Sequence, residues 1–365
     1  MGLADEKRFQ GTEAVVRPAA PMGRFDHGGD TYGHPGVVDF SANVNPLGMP
    51  QAAREVLAGS VDAYAAYPDP ACRDLTRALA ARAGVDPGWV LCTAGATDLM
   101  SRVCQALRPR RALVLAPCYG GYEQALVQAG AGVRRHTLTH EEGFALTPRV
   151  LGDLDEGVDL AFLASPNNPT GLTIARPLLR DILERARDLG VWLVLDECFL
   201  GFTDLPSATS LCAAYPNLLV MRAFTKTYAM AGLRLGYGIC ADAALMGGLR
   251  AAGQPWAVST PAQLAGLAAL GEQGFLERTR AFVGRERARL AQGLATLGME
   301  VLPGEANYLM FQSPVPLYDA LLARGVMVRR CQNYQGLSDG LWYRVAVRTH
   351  GENDLLLARL EEVVA

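Results

Sequence analysis

The 365 residues contain no cluster of basic side chains, no Cys-x-x-Cys pair and no apolar run of membrane length. The 34 Lys and Arg residues are scattered among 37 Asp and Glu, giving a net charge of −3 and a pI near 6.0, so no electrostatic footprint for nucleic acid is present. Partners are therefore expected to be small molecules or another subunit. Eight cysteines, at positions 72, 92, 104, 118, 198, 212, 240 and 331, sit mostly inside apolar stretches such as Tyr237-Gly238-Ile239-Cys240. That placement suits buried free thiols in a reducing cytoplasm better than disulfides or a metal site. No run approaches the roughly 18 apolar residues of a membrane helix. The first residues carry Asp5, Glu6, Lys7 and Arg8 where a signal peptide would be apolar, and Glu6 breaks the myristoylation pattern that Met1-Gly2 opens. A cytoplasmic location is expected. Internal repeats and low-complexity segments are also lacking.

What is present is apolar bulk: half the residues are hydrophobic and 19% are charged, enough for a large core in more than one domain. From about residue 87 to 240 short β-rich runs alternate with amphipathic stretches, the signature of a mostly parallel sheet. The expected strands are 112–116, 159–164, 191–195 and 218–223. Between the second and third, Leu178, Leu179, Ile182, Leu183, Ala186 and Leu189 recur at helical spacing, and Gly190 ends that helix. Beyond Pro255 the texture changes to long Ala/Leu/Arg helices over roughly 262–297, then strand-like 308–311 and 343–347. The expected division is an arm over 1–50 that contributes to the small domain and active site, a large domain over 51–254 and a smaller α+β domain over 255–365. Rich in Gly and Pro, the arm could cross a subunit boundary.

Several strand ends carry chemistry-bearing residues. Thr225-Lys226 follows 218–223, and the next basic residue is Arg234. A lysine at a buried strand end is costly without a partner or a covalent role, although a snorkelling surface lysine fits the same pattern. Asp196 ends the apolar run Val191-Trp192-Leu193-Val194-Leu195, where a carboxylate at the carboxyl edge of a parallel sheet faces the ligand crevice; a buried ion pair is the competing role. Ser165-Pro166-Asn167-Asn168-Pro169-Thr170-Gly171 is a turn-rich loop at the same edge. Thr93-Ala94-Gly95-Ala96-Thr97-Asp98 precedes a helix, so free N–H groups converge there on an anion unless Thr97 or Asp98 merely caps. Pro117-Cys118-Tyr119 can lay the Tyr119 ring against a flat heteroaromatic, or Tyr119 is a core residue.

In this order and at these strand ends, the motifs resemble the fold-type-I pyridoxal-5′-phosphate (PLP) enzymes, specifically the class I/II aminotransferase superfamily, over nearly the whole chain. The resemblance implies an α/β large domain with a mostly parallel sheet, a smaller α+β domain, and PLP as cofactor. It assigns the covalent lysine to Lys226, the partner of the pyridine nitrogen to Asp196 and the ring-stacking aromatic to Tyr119. Asn168 would bond the phenolic oxygen, while Gly95, Ala96, Thr97, Thr225 and Arg234 would hold the phosphate. Tyr67, in Tyr67-Pro68-Asp69-Pro70, would reach the neighbouring subunit's phosphate, which implies a homodimer. Ala223 stands where the family usually has Ser or Thr, and Cys198 where it usually has Ala.

Two branches fit: histidinol-phosphate aminotransferases and the threonine-phosphate decarboxylases of cobalamin synthesis. The second is favoured by His27-Gly28-Gly29-Asp30, by Asp39-Phe40-Ser41-Ala42-Asn43-Val44-Asn45-Pro46, and by Phe199 in place of the usual tyrosine. Gln254-Pro255-Trp256, the stretch 330–337 and Tyr343-Arg344-Val345-Ala346-Val347-Arg348 match it as well. By this resemblance Arg344 takes the substrate α-carboxylate, His27 and Arg348 take the substrate phosphate, and Asn43 and Asn168 line the substrate site. The expected reaction is decarboxylation of O-phospho-L-threonine to (R)-1-amino-2-propanol phosphate, with transamination as the alternative. A non-catalytic PLP-fold regulator or binding subunit is disfavoured by the presence of Lys226, Asp196, Asn168 and Arg234 together.

Overall fold

The computed structural model describes residues 27–364. Its strands are β1 (Val38–Asp39), β2 (Val90–Thr93), β3 (Arg111–Ala116), β4 (Gly132–Thr137), β5 (Leu160–Ala164), β6 (Trp192–Asp196) and β7 (Leu218–Ala223). After these come β8 (Gly236–Ile239), β9 (Glu300–Val301), β10 (Tyr308–Gln312), β11 (Val326–Met327), β12 (Arg329–Arg330) and β13 (Trp342–Ala346). Seven form one sheet in the order β2-β8-β7-β6-β5-β3-β4, in which β8 alone runs antiparallel to its neighbours. The expected α/β architecture is therefore present. Because β2, β3, β5, β6 and β7 run the same way, Thr93, Ala116, Ala164, Asp196 and Ala223 end at one edge of the sheet.

Local sequence accounts for these elements. All five residues of β5 are buried, as expected of a strand covered on both faces by helices. The helix Arg176–Asp188 has Pro at its first turn and buries Leu178, Leu179, Ile182, Leu183 and Ala186. Each of the larger four contributes roughly 1.5–3 kcal/mol on burial. Gly190, at φ 69°, then turns the chain into β6.

The long helical region past Pro255 is two helices, Thr260–Gly271 and Phe275–Thr296, separated where Gly274 takes φ 71°. Apolar packing crosses the expected boundary at 254/255. Ala262, Ala265 and Ala269 lie in the large-domain core with Leu75 and Leu79, whereas Leu290 and Leu294 belong to the small-domain core with Leu309, Phe311 and Tyr343. The helix Phe275–Thr296 thus bridges the two. Within the small domain, the sheet β12-β13-β10-β9 packs beside a short parallel pairing of β1 with β11. The described part of the arm, 27–50, holds no element other than β1. No helix among the described residues is long and apolar enough to cross a membrane.

Candidate active site

A cleft of about 230 Å³ opens at the carboxyl edge of the large sheet. The arm contributes His27 and Asn43 to its lining, the sheet edge Asp196 and Lys226, and the small domain Tyr334 and Arg344. Most of the expected residues therefore meet in one place.

One end of the cleft gathers donors and positive charge that suit an anion. The helix Ala96–Leu107 begins at Gly95, whose φ of 87° and ψ of 171° turn the chain abruptly out of β2. A methyl group at Gly95 would lie 2.7 Å from Arg234 Nη2, so only glycine lets that guanidinium approach the helix start. Arg234 is itself at φ 58°, a left-handed conformation that costs a non-glycine residue energy and aims the side chain here. Asp98 caps the turn by accepting from Ala94 N–H (2.9 Å) and pairs with Arg102 through two bonds (2.9 and 2.8 Å). The remaining N–H groups of the first turn, the Arg234 guanidinium and Thr225 form a cationic cradle.

Lys226 lies in a one-turn helix, Phe224–Thr227, that continues β7. The arm holds this turn in place: Asn45 N–H donates to Lys226 O (3.1 Å) and Asn45 Nδ2 to Thr227 O (2.7 Å). Desolvation first, then the charges of Arg344 and Arg234, lowers the Lys226 amine to about 8. An amine so poised is neutral to about a quarter at pH 7.5, and the neutral form is the one that attacks a carbonyl.

Asp196, opposite, is pushed up by burial, while the Cys198 thiol, Tyr122 and the Cys198 backbone N–H oppose that shift by donating to it. The Tyr122 hydroxyl donates at 2.6 Å and the Cys198 N–H at 2.8 Å. Tyr122 was not singled out from the sequence. It stands three residues after Tyr119 in the first turn of the helix Gly120–Gln128, on the same face, and its ring stacks on Phe162 (5.3 Å) and meets Tyr119 edge-on (5.4 Å). A methyl on Gly121 would strike the Tyr119 ring at 2.3 Å, so Gly121 lets that ring lie flat against its own helix.

The two asparagines of the turn-rich loop divide their work. Asn167 is structural, donating to Pro117 O (3.2 Å) and Thr170 Oγ1 (3.1 Å). Asn168 faces the cleft, where its Oδ1 accepts from Arg344 Nη1 (2.5 Å) and the Tyr334 hydroxyl (3.3 Å), leaving its amide N–H groups as donors. Arg344 is 5% exposed, and its Nη2 donates to Ser41 O (2.6 Å). The Asn43 Oδ1 is a buried acceptor with no partner.

Of the more outlying expected residues, Arg348 departs from the reading above, whereas Tyr67 and His27 are compatible with it. Arg348 does not line the cleft: its guanidinium is bound to Asp39 O (2.8 Å) and Glu352 (2.6 Å), which removes it from direct contact with a substrate phosphate. Tyr67 is 81% exposed and packs at a tilt against Trp256 (4.7 Å between ring centres), away from its own chain's cleft. His27 lines the cleft, with its ring 5.1 Å from that of Tyr119. It also borders a smaller pocket, with Arg135, Arg329, Asn333 and Tyr334, that the sequence did not reveal.

These residues fit PLP. The cradle suits its phosphate, a neutral-tending amine its aldehyde, and the Asn168 amide its phenolic oxygen. A buried carboxylate ringed by donors, with no ion pair to a basic side chain among the described residues, suits its protonated ring nitrogen. The family model for aminotransferase class I and II matches residues 35–360. A threonine-phosphate decarboxylase of Salmonella typhimurium is 39% identical over 90% of this chain and 91% of its own length. A histidinol-phosphate aminotransferase of Nitratidesulfovibrio vulgaris is 33% identical over 95% and 94%. Among solved structures, the histidinol-phosphate aminotransferase of Clostridium acetobutylicum superposes with a TM-score of 0.84 at 26% identity, covering 89% of this chain and 98% of that one.

Proposed function

Because the chain belongs to the class I and II aminotransferase family and is a PLP-dependent enzyme, we propose that it decarboxylates O-phospho-L-threonine to (R)-1-amino-2-propanol phosphate, a step of cobalamin synthesis. The observation that carries this reading is the small pocket adjoining the cleft. It shares His27 and Tyr334 with the cleft, and Arg329, whose guanidinium lies over the Tyr334 ring (5.2 Å), lines it. A substrate whose α-carboxylate sits on Arg344 would direct a short phosphate-bearing side chain toward that pocket. Phe199 supports the same reading: it packs edge-on against Tyr308 (4.9 Å) and offers no hydroxyl to the cofactor.

When bound, PLP supplies an electron sink for whichever bond at Cα lies perpendicular to its ring. The protein's part is to choose that bond. Arg344, braced by Asn168 and Ser41, holds the carboxylate through a planar fork that lysine could not reproduce. Asp196 keeps the ring nitrogen protonated, and Tyr122 and Cys198 hold the Asp196 carboxylate in place. Lys226, tuned near 8, can return a proton to Cα after CO₂ leaves. Exposed Tyr67 completes the phosphate end of a neighbouring subunit in a homodimer.

Transamination of histidinol phosphate or another amino acid remains the second reading, because the same residues serve it and the relative at 33% identity bears that name. The deciding experiment incubates holoenzyme with O-phospho-L-threonine and measures CO₂ and the phosphorylated amine. If no CO₂ appears, yet histidinol phosphate converts 2-oxoglutarate to glutamate, the decarboxylase reading falls.

A further inference from the structure

Arg348 misses the cleft, yet it grips a segment that reaches it. Its Nη1 donates to Asp39 O (2.8 Å), its Nη2 to Glu352 (2.6 Å) and its backbone N–H to Asn353 Oδ1 (3.0 Å). The guanidinium lies over the Phe40 ring at 5.7 Å. Within the gripped segment, Asp39 Oδ1 accepts both the N–H and the hydroxyl of Ser41 (2.7 and 2.6 Å). The Ser41 hydroxyl in turn accepts Gly29 N–H (2.7 Å), and the Ser41 carbonyl accepts Arg344 Nη2 (2.6 Å). Backbone bonds from Phe40 N–H to Met327 O and from Ala346 N–H to Phe40 O, each 2.8 Å, thread the segment between β11 and β13. Two arginines four positions apart thus hold the same three residues, Arg344 from the cleft side and Arg348 from the far side.

From this joint we infer that Arg348 is a positioning residue for the substrate carboxylate, acting through Asp39-Phe40-Ser41 to fix the guanidinium of Arg344. A bidentate fork is productive only within about 0.5 Å and 10–20° of the right geometry. The Ser41 carbonyl and Asn168 Oδ1 set that orientation, and the Ser41 carbonyl is only as fixed as the segment carrying it. The inference rests on Arg344 taking an α-carboxylate in this cleft; it does not depend on which bond at Cα then breaks.

The test is an absorbance titration of wild-type and Arg348→Ala holoenzyme with four ligands: O-phospho-L-threonine, L-threonine, 1-amino-2-propanol phosphate and 1-amino-2-propanol. Arg348→Ala should weaken both carboxylated ligands on the order of tenfold and leave both amines unchanged. Arg348→Lys, able to keep one of the two bonds, should fall between. Should Arg348→Ala fold poorly, Glu352→Gln loosens the outer anchor alone and should give the same ligand order with a smaller loss. A loss shared equally by all four ligands would reduce Arg348 to a structural residue, and a loss that follows the phosphate would restore direct phosphate contact; either overturns the proposal. If phosphothreonine binds as expected but releases no CO₂, the decarboxylase reading fails while the positioning role stands.

Discussion

The lowered amine of Lys226 can be measured against that of a lysine in a short peptide. An amine at about 8 is neutral to about a quarter at pH 7.5, whereas one at the ordinary value near 10.4 is neutral to about one part in a thousand. Acylation of apoenzyme by a small amine-directed reagent, read by peptide mass spectrometry across pH, should follow a midpoint near 8 at Lys226. It should still be rising above pH 10 at the peptide lysine. At pH 7.5 the neutral fractions differ roughly two-hundredfold. Arg344→Ala removes the largest opposing charge and should move the Lys226 midpoint upward. The same shift acts on stability. Between about 8 and 10.4 the folded chain binds fewer protons than the unfolded one, so apoenzyme stability should rise with pH through that window, recovering about 3 kcal/mol that the buried charge costs below it. A Lys226 midpoint indistinguishable from that of the peptide lysine, or one unmoved by Arg344→Ala, would refute the electrostatic account. Lys226→Ala should leave no borohydride-fixed cofactor adduct in the cleft.

Tyr122→Phe keeps the ring stack on Phe162 but removes a charge-assisted bond that opposes the effect of burial on Asp196, so the Asp196 carboxyl should titrate higher still. Cofactor affinity and the pH dependence of the bound cofactor's absorbance report it, and an unchanged spectrum and affinity would remove Tyr122 from the site. For the homodimer, mixing Lys226→Ala with Tyr67→Phe under exchange conditions should restore part of the activity through hybrid dimers. Absence of complementation would count against the role of Tyr67 across the interface.

Much of the cleft's sheet-edge lining was legible because its residues end a strand or open the next helix. Asp196 ends β6, Lys226 follows β7 and Gly95 opens the helix after β2, so periodicity and strand ends place them. The substrate half was not legible in this way. Arg344 and Arg348 share one motif at the end of β13, and only packing against the arm tells that one faces the cleft and the other its back. Tyr122 was hidden for a different reason. A tyrosine in an apolar helix looks like core, and its partner Asp196 is 74 residues away. Likewise, the change of texture at Pro255 could not reveal that Thr260–Gly271 packs with the large domain, because Ala/Leu-rich faces suit either core.

The bond between Ser41 and Arg344 spans 303 positions, and that between Asp39 and Arg348 spans 309. Phosphate cradle, Lys226 and Asp196 all lie between positions 95 and 234. On a ribosome the cofactor's berth is therefore encoded well before the substrate's. Arg344 is translated about 110 residues after Arg234, an interval of roughly 5–20 s at ordinary synthesis rates. Only after that can the arm, waiting since the first moments of synthesis, close the substrate half against the C-terminal strand.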